Sequence, residues 1–181
     1  MHIVGAVAAL LAAALSPVDA GKYCSSCFDS GYALFSDDHS TLYQGQQLGD
    51  DGINIRMQPD SNFVLYVEGN VPKWATNTQG SGSTRVTMQP DGNLVMYTND
   101  NVPTWASHTD NQGVGPFCLQ RYLIITIDHR QFWNMYIFDS RCAVTWRQSG
   151  NALSTENATT DEAMAFVLAN TSLVNQTKLS P

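Results

Sequence analysis

Two stretches of this chain have residue types and spacing that could do chemistry: Met57-Gln-Pro-Asp-Ser-Asn-Phe-Val-Leu-Tyr66 and Met88-Gln-Pro-Asp-Gly-Asn-Leu-Val-Met-Tyr97. In each, Gln, Asp, Asn, Val and Tyr occupy alternate positions. Gln and Asn each bring an amide donor and acceptor, Asp a charged acceptor and Tyr a hydroxyl. The vicinal hydroxyls of a hexose are each donor and acceptor, so planar bidentate groups match them. Val64 or Val95 can lie against the apolar C–H patch of the ring. The intervening positions differ between the copies (Ser61 and Gly92, Phe63 and Leu94, Leu65 and Met96), whereas the polar four do not. That contrast favours a functional set over turn residues that have not diverged. Glycoside cleavage is a poor match, because Asp60 and Asp91 belong to different copies and nothing places two carboxylates at hydrolase separation.

The copies belong to a repeat with a period of 31 residues, from Met57 to Met88, that extends into the flanks. Each Tyr is followed eight residues later by a Trp, Trp74 and Trp105, inside Asn70-Val-Pro-Lys-Trp-Ala75 and Asn101-Val-Pro-Thr-Trp-Ala106. A third copy is degenerate. Anchored on Trp146, which lies 41 residues after Trp105, its motif positions fall at Arg130, Phe132, Asn134, Tyr136 and Phe138. A shift of two residues keeps Tyr136 and loses the Asn. Neither register preserves the polar set, so the third face is expected not to bind.

Each unit reads as a β-hairpin. Asp91-Gly92-Asn93 has the residues of a three-residue turn, and Pro90 tolerates a strand end rather than its centre. With that loop Gln89 faces Val95 and Met88 faces Met96. Alternation then puts Met88, Leu94 and Met96 on an apolar face, and Gln89, Val95 and Tyr97 on the other. Asp91 and Asn93 reach the second face from the turn. In the first copy Met57, Phe63 and Leu65 take the apolar face.

Composition agrees. The chain has 181 residues, 43% hydrophobic and 14% charged, with a net charge of −7. Its nine Lys and Arg are scattered singly, which suits neither nucleic acid, where phosphate binding needs clustered cations, nor an anionic membrane. Thirteen Gly and seven Pro argue for many short strands rather than a helical bundle.

The ends read differently. Residues 1–20 resemble a secretory signal: Ile3 to Leu15 is apolar but too short to span a bilayer, and Val18-Asp19-Ala20 offers small residues for cleavage. A secreted, extracellular chain is expected. Its four cysteines, Cys24, Cys27, Cys118 and Cys142, then form two disulfides. Of the three connectivities, Cys118–Cys142 with Cys24–Cys27 is preferred. Residues 149–181 form an Asn-, Thr- and Ser-rich tail with three N-glycosylation sequons, at Asn157, Asn170 and Asn175. Thr160 to Ala169 has the pattern of a short helix. The tail ends in Lys-Leu-Ser-Pro without a hydrophobic anchor, so no membrane attachment is expected.

Gln58-x-Asp60-x-Asn62-x-Val64-x-Tyr66 and Gln89-x-Asp91-x-Asn93-x-Val95-x-Tyr97 resemble the signature of the bulb-type (monocot) mannose-binding lectin family. Leu42-Tyr-Gln-Gly-Gln-Gln-Leu48 resembles the family's opening segment, and Trp-Ala-(Thr/Ser)-x-Thr closes each good copy. The likeness covers 32–148, leaving 21–31 as a cysteine-containing leader to that domain. It implies an all-β fold, a β-prism II of three antiparallel four-stranded sheets with pseudo-threefold symmetry, with Trp74, Trp105 and Trp146 in the core. It also implies a non-catalytic lectin for mannose-containing glycans or glycoproteins that needs no metal or other cofactor. Asp60 and Asn62 would then bind the axial O2 of mannose, Gln58 the O3 and Tyr66 the O4, with Val64 against the ring carbons. Asp91, Asn93, Gln89, Tyr97 and Val95 would repeat the arrangement. Plant members often dimerise by exchanging C-terminal strands, so a homo-oligomer is compatible, although this tail departs from theirs; Cys118 and Cys142 also do not reproduce the family's usual disulfide.

Two other readings compete. One keeps the prism without sugar binding, as a protein-interaction module using the aromatic third copy (Phe132, Trp133, Tyr136, Phe138). Packing of those residues beneath the Cys118–Cys142 segment is the simpler explanation. An enzyme is third: His39, His108 and His129 are isolated, and each reads as a surface or turn residue.

Overall fold

The computed structural model describes Cys27, residues 32–125 and residues 131–148, without the side chains of residues 122–125 and 131–132. The expected signal segment, Cys24, Arg130 and the tail with its helix and three sequons lie outside the described residues.

Three short strands come first: β1 (Ala33–Phe35), β2 (Thr41–Tyr43) and β3 (Gln47–Gly49). Three triplets follow, one per repeat: β4 (Ile53–Met57), β5 (Phe63–Val67) and β6 (Val71–Ala75); β7 (Ser83–Met88), β8 (Leu94–Thr98) and β9 (Pro103–Ala106); β10 (Cys118–Ile125), β11 (Gln131–Phe138) and β12 (Val144–Arg147). Each triplet forms three strands of one sheet, and the N-terminal segment adds the fourth. The orders are β3-β4-β5-β6, β2-β7-β8-β9 and β1-β10-β11-β12, with antiparallel pairing throughout. The fold is therefore the all-β prism of three four-stranded sheets that the repeat and its resemblance imply.

Alternation explains the core. Ile55, Met57, Phe63 and Leu65 of the first sheet, Val86, Met88, Leu94 and Met96 of the second, and Leu119, Met135 and Ile137 of the third are fully buried in one cluster. Trp74, Trp105 and Trp146 meet edge to face, with ring centroids 5.9–6.2 Å apart. They are half-buried rather than wholly inside, packed against that cluster. One substitution breaks the pattern: Arg121 pairs with Met135, where Met57 and Met88 pair with Phe63 and Leu94. This buried guanidinium lies over the Tyr32 ring and 3.6 Å from Asp50, which partly offsets the cost of burying its charge, while its Nε has no hydrogen-bond partner.

The third hairpin is longer. Met88 and Leu94, six residues apart, close the second hairpin, whereas the equivalent Arg121 and Met135 are fourteen apart. The stem continues through Tyr122↔Asn134 to Ile125↔Gln131. Eight of the ten residues that lengthen the Trp105-to-Trp146 spacing therefore sit in this extension.

The cysteine expectation fails. Cys27 is bonded to Cys142, with Cα atoms 5.3 Å apart, and Cys118 is disulfide-bonded as well. Neither Cys118–Cys142 nor Cys24–Cys27 forms. The cause is the pairing of β1 with β10, which brings the N-terminal segment beside the β11–β12 turn. There Cys27, Ala33, Cys118, Tyr136 and Phe138 form a second buried cluster, with Phe35 and Cys142 packed against it. Tyr136 and Phe138 thus pack beside Cys118 and Cys142, as the simpler reading has it. Trp133 instead packs half-buried on the main core, with the Lys73 ammonium 3.9 Å from its ring centroid.

Candidate functional site

The turn that carries each polar set differs from the expected one. The Gln58 N–H donates to Asn62 O and the Ser61 N–H to Gln58 O; the Gln89 N–H donates to Asn93 O and the Gly92 N–H to Gln89 O. The three loop residues are therefore Pro59-Asp60-Ser61 and Pro90-Asp91-Gly92, one position earlier than Asp91–Asn93, and Gln faces Asn rather than Val. The reason is backbone handedness. This loop is a β-turn with proline at its second position, closed by a left-handed residue. Ser61 (φ 77°) and Gly92 (φ 91°) fill that last place. Asn62 and Asn93 consequently open the return strand, on the same face as Val and Tyr.

Ser61 pays a steric penalty that Gly92 does not. Ser61→Gly is expected to raise the unfolding free energy by about 0.5–1 kcal/mol, as read by urea denaturation. A destabilised variant would show that the serine side chain matters more than the backbone strain.

Every polar side chain of the set has one end held and one end open. Asp60 Oδ1 accepts from the Asn62 N–H at 3.0 Å, and Asp91 Oδ1 from the Asn93 N–H at 2.9 Å. Gln58 Nε2 donates to Tyr66 Oη, and Gln89 Nε2 to Tyr97 Oη, both at 2.7 Å. Asn62 Oδ1 accepts from Thr76 Oγ1 (3.1 Å) and the Thr78 N–H (3.3 Å). Asn93 Oδ1 accepts from Ser107 Oγ (3.0 Å) and the Thr109 N–H (3.3 Å). What remains for a ligand is one carboxylate oxygen of Asp, the two Asn amide N–H groups, Gln Oε1 and the phenol proton: two acceptor atoms and three donor hydrogens per set. Val64 and Val95 are buried at 2% and 3% exposure. They form the floor of the set and present little surface to a sugar ring.

Two supports were not visible as such in the sequence. The segment that ends each third strand and runs on from it, Trp74-Ala-Thr-Asn-Thr78 or Trp105-Ala-Ser-His-Thr109, folds over the hairpin loop. Thr78 Oγ1 donates to Ser61 O and the Gly80 N–H to Asp60 O; Thr109 Oγ1 donates to Gly92 O and the Asn111 N–H to Asp91 O, all at 2.7–2.8 Å. Each tyrosine sits at a register shift, between Leu65 and Tyr66 and between Met96 and Tyr97, a device that re-aims a side chain. An arginine then covers each ring: the Arg56 guanidinium lies 4.6 Å from the Tyr66 centroid and that of Arg85 5.0 Å from Tyr97.

The third face does not assemble the set. Strand pairing aligns Ile137 with Trp146 as Leu65 pairs with Trp74 and Met96 with Trp105, so the Trp-anchored register is the correct one. Asn134 stands at the Asn position, Tyr136 at the Val position and Phe138 at the Tyr position. Asn134 Oδ1 accepts from Gln148 Nε2 at 3.1 Å, with Gln148 in the role of Thr76 and Ser107. Phe132, at the Asp position, lies in the extended stem, paired with Ile124, so that position is a strand residue without a carboxylate.

The chain is thus a three-sheeted β-prism with a polar cradle on two of its sheets. No protein-family profile and no curated protein sequence matches the chain, but solved structures do. The mannose-specific agglutinin of snowdrop (Galanthus nivalis) bulbs, solved with methyl-α-D-mannoside, is 37% identical over 56% of this chain and 87% of its own, with a TM-score of 0.43. A monomeric monocot mannose-binding lectin of Gastrodia elata is 32% identical over 64% of this chain and 94% of its own, with a TM-score of 0.48. The Japanese Marasmius oreades lectin, 20% identical over 66% of this chain and 92% of its own at a TM-score of 0.51, speaks to the fold alone. On the identity and coverage of the monocot relatives, the chain belongs to the bulb-type monocot mannose-binding lectin family.

Proposed function

We propose that this chain is a secreted, non-catalytic lectin that binds mannose or mannan through two sites, Gln58, Asp60, Asn62, Val64 and Tyr66 on the first sheet and Gln89, Asp91, Asn93, Val95 and Tyr97 on the second. The observation that carries the reading is the half-occupied state of every polar side chain in both sets. Each is oriented by an internal hydrogen bond and keeps its other end open, as a preorganised site for hydroxyl groups requires. With the roles the family implies, Asp and Asn take the axial O2, Gln the O3 and Tyr the O4. Glucose, with an equatorial O2, leaves those groups unpaired at a cost of about 1–3 kcal/mol. Asp60 and Asp91 stand on separate sheets, so the two carboxylates serve two sites rather than one reaction.

The test is retention on mannose-agarose without calcium and elution by free methyl α-mannoside. Asp60→Asn together with Asp91→Asn keeps an oxygen to accept the Asn62 and Asn93 N–H groups but removes the charged acceptor. The double variant is expected to lose about tenfold or more in affinity per site. Each single variant is expected to keep one working site and to lose mainly the gain from multivalent attachment to branched mannan. Unchanged retention of the double variant would remove the site assignment.

A further inference from the structure

We propose that Arg56 and Arg85 extend the two sites at their tyrosine ends, so that the preferred ligand is a mannosyl residue carrying a phosphate monoester rather than neutral mannose. The inference rests on the mannose reading above and adds an anion subsite to it. Its first support is placement. Arg56 precedes Met57 by one residue, whereas Arg85 precedes Met88 by three. These are not equivalent positions of the repeat, and the residues pair differently, Arg56 with Val64 and Arg85 with Tyr97. Yet both guanidinium groups arrive over the ring of the site tyrosine. A duplication alone does not produce that coincidence.

The second support is charge. In a chain with nine basic and sixteen acidic residues, Arg121 and Arg141 each have a carboxylate partner, Asp50 and Asp139. Among the described residues Arg56 and Arg85 form no ion pair. They are held by neutral oxygens instead: Arg56 Nη2 donates to Asn70 Oδ1 at 2.6 Å, Arg85 Nη2 to Asn101 Oδ1 at 2.5 Å and Arg85 Nη1 to Thr98 O at 2.8 Å. Asn70 and Asn101 occupy equivalent left-handed positions (φ 57° and 62°) in the turns after β5 and β8, so both anchors come from the repeat itself. The guanidinium is thus fixed in place while its charge stays uncompensated, and the Nη N–H donors that these oxygens do not engage remain for a ligand; Arg56 Nε, by contrast, is buried.

The third support is direction. Asp60 and Asp91 lie at the hairpin tip, and the arginines cover the tyrosine at the opposite end of the set. An anionic substituent near Asp would be repelled; near the arginine it meets a cation. With Tyr on O4, the next ring carbon is C5, which carries the exocyclic C6. A phosphate on O6 therefore points to the arginine end.

The test compares the full chain's affinity for methyl α-mannoside and for mannose 6-phosphate by titration calorimetry at low salt. The phosphate ester is expected to bind about tenfold tighter, in line with charge-assisted hydrogen bonds at a partly exposed site, and its advantage is expected to shrink as ionic strength rises. Arg56→Gln with Arg85→Gln is expected to bring the ratio of the two affinities to about one, and Arg56→Lys with Arg85→Lys to restore part of it. Equal affinities in the wild type overturn the inference and leave the mannose reading intact. So does a double Gln variant that weakens both ligands equally and keeps the ratio, because the arginines then serve only to hold the tyrosines. Binding of neither ligand by the wild type overturns the mannose reading and this extension together.

Discussion

Trp105→Ala is expected to lower the unfolding free energy by about 3–5 kcal/mol, at the upper end of aromatic truncations. Trp105 comes from the second sheet and meets Trp74 of the first at 6.0 Å and Trp146 of the third at 6.2 Å, each edge to face. Its backbone partner Met96 is fully buried. Removing the indole therefore opens a gap beside the core and also leaves two aromatic edges without their partner, each pair being worth about 0.5–1.5 kcal/mol beyond its buried area. Trp105→Phe keeps a ring edge and is expected to cost less. The cluster is where one residue from each sheet touches the other two, so the loss should be cooperative. Pairing Trp105→Ala with Trp146→Ala should show a coupling of about 0.5–1.5 kcal/mol in a double-mutant cycle. Pairing it with Ser61→Gly should be additive. A Trp105→Ala cost within the roughly 0.5 kcal/mol of an ordinary surface change would show that the sheets are held together elsewhere.

That cluster was legible as spacing, because each Trp lies eight positions after its Tyr in the two good copies. Its half-buried position was not, since period alone does not say how near the end of the prism a residue lies. The faces of each hairpin were legible as well. Strand alternation puts Met88, Leu94 and Met96 inside, and a one-residue displacement of the loop moves both arms together and keeps that face. The displacement itself was hidden, because Asp-Gly-Asn is a good turn on composition and only backbone handedness decides that Gly92 ends the loop. The arginines were hidden for a related reason. Arg56 and Arg85 stand at different offsets from the motif, so no repeat comparison aligns them, and their convergence on the tyrosines appears only once cross-strand partners are known. The disulfide depended on β1 pairing with β10, a contact between residues more than eighty apart that no local signal announces. The extra ten residues before Trp146 were countable, but their location in the β10–β11 stem was not.

Asp139 belongs to none of the motifs, and its replacement is the other change expected to be severe. The side chain is fully buried. Oδ1 accepts from the Arg141 and Ala143 N–H groups, each at 2.9 Å; Oδ2 accepts from the Val114 N–H at 3.1 Å and from Arg141 Nε and Nη2 at 3.3 and 3.2 Å. One carboxylate thereby ties the β11–β12 turn, which holds Cys142, to the segment that enters β10. Gly113 shows how close that contact is: a Cβ there would lie 2.8 Å from Thr145 Cγ2 and 2.9 Å from Asp139 Cβ. Asp139→Ala leaves three backbone N–H groups without their acceptor and is expected to cost about 3–5 kcal/mol, the range for breaking a buried charged contact. Asp139→Asn keeps Oδ1 for Arg141 and Ala143 but turns an NH2 toward the Val114 N–H and the guanidinium, for an expected cost of about 1–3 kcal/mol.

The two forms should also differ in acid. Burial pushes the Asp139 carboxyl up, but the N–H groups of Ala143, Arg141 and Val114, with the Arg141 side chain, outweigh it and hold the group below the usual carboxylate value. A carboxyl held lower in the folded state stabilises fully above its unfolded value of about 3.9, and that contribution fades as the pH falls through the folded value. Thermal unfolding of the wild type should therefore weaken more steeply below about pH 4 than that of Asp139→Asn, and the stability gap between them should narrow. Parallel acid profiles would assign the acid sensitivity to another carboxylate, for which Asp50, held low by the Gly52 and Ile53 N–H groups, is the candidate to replace next.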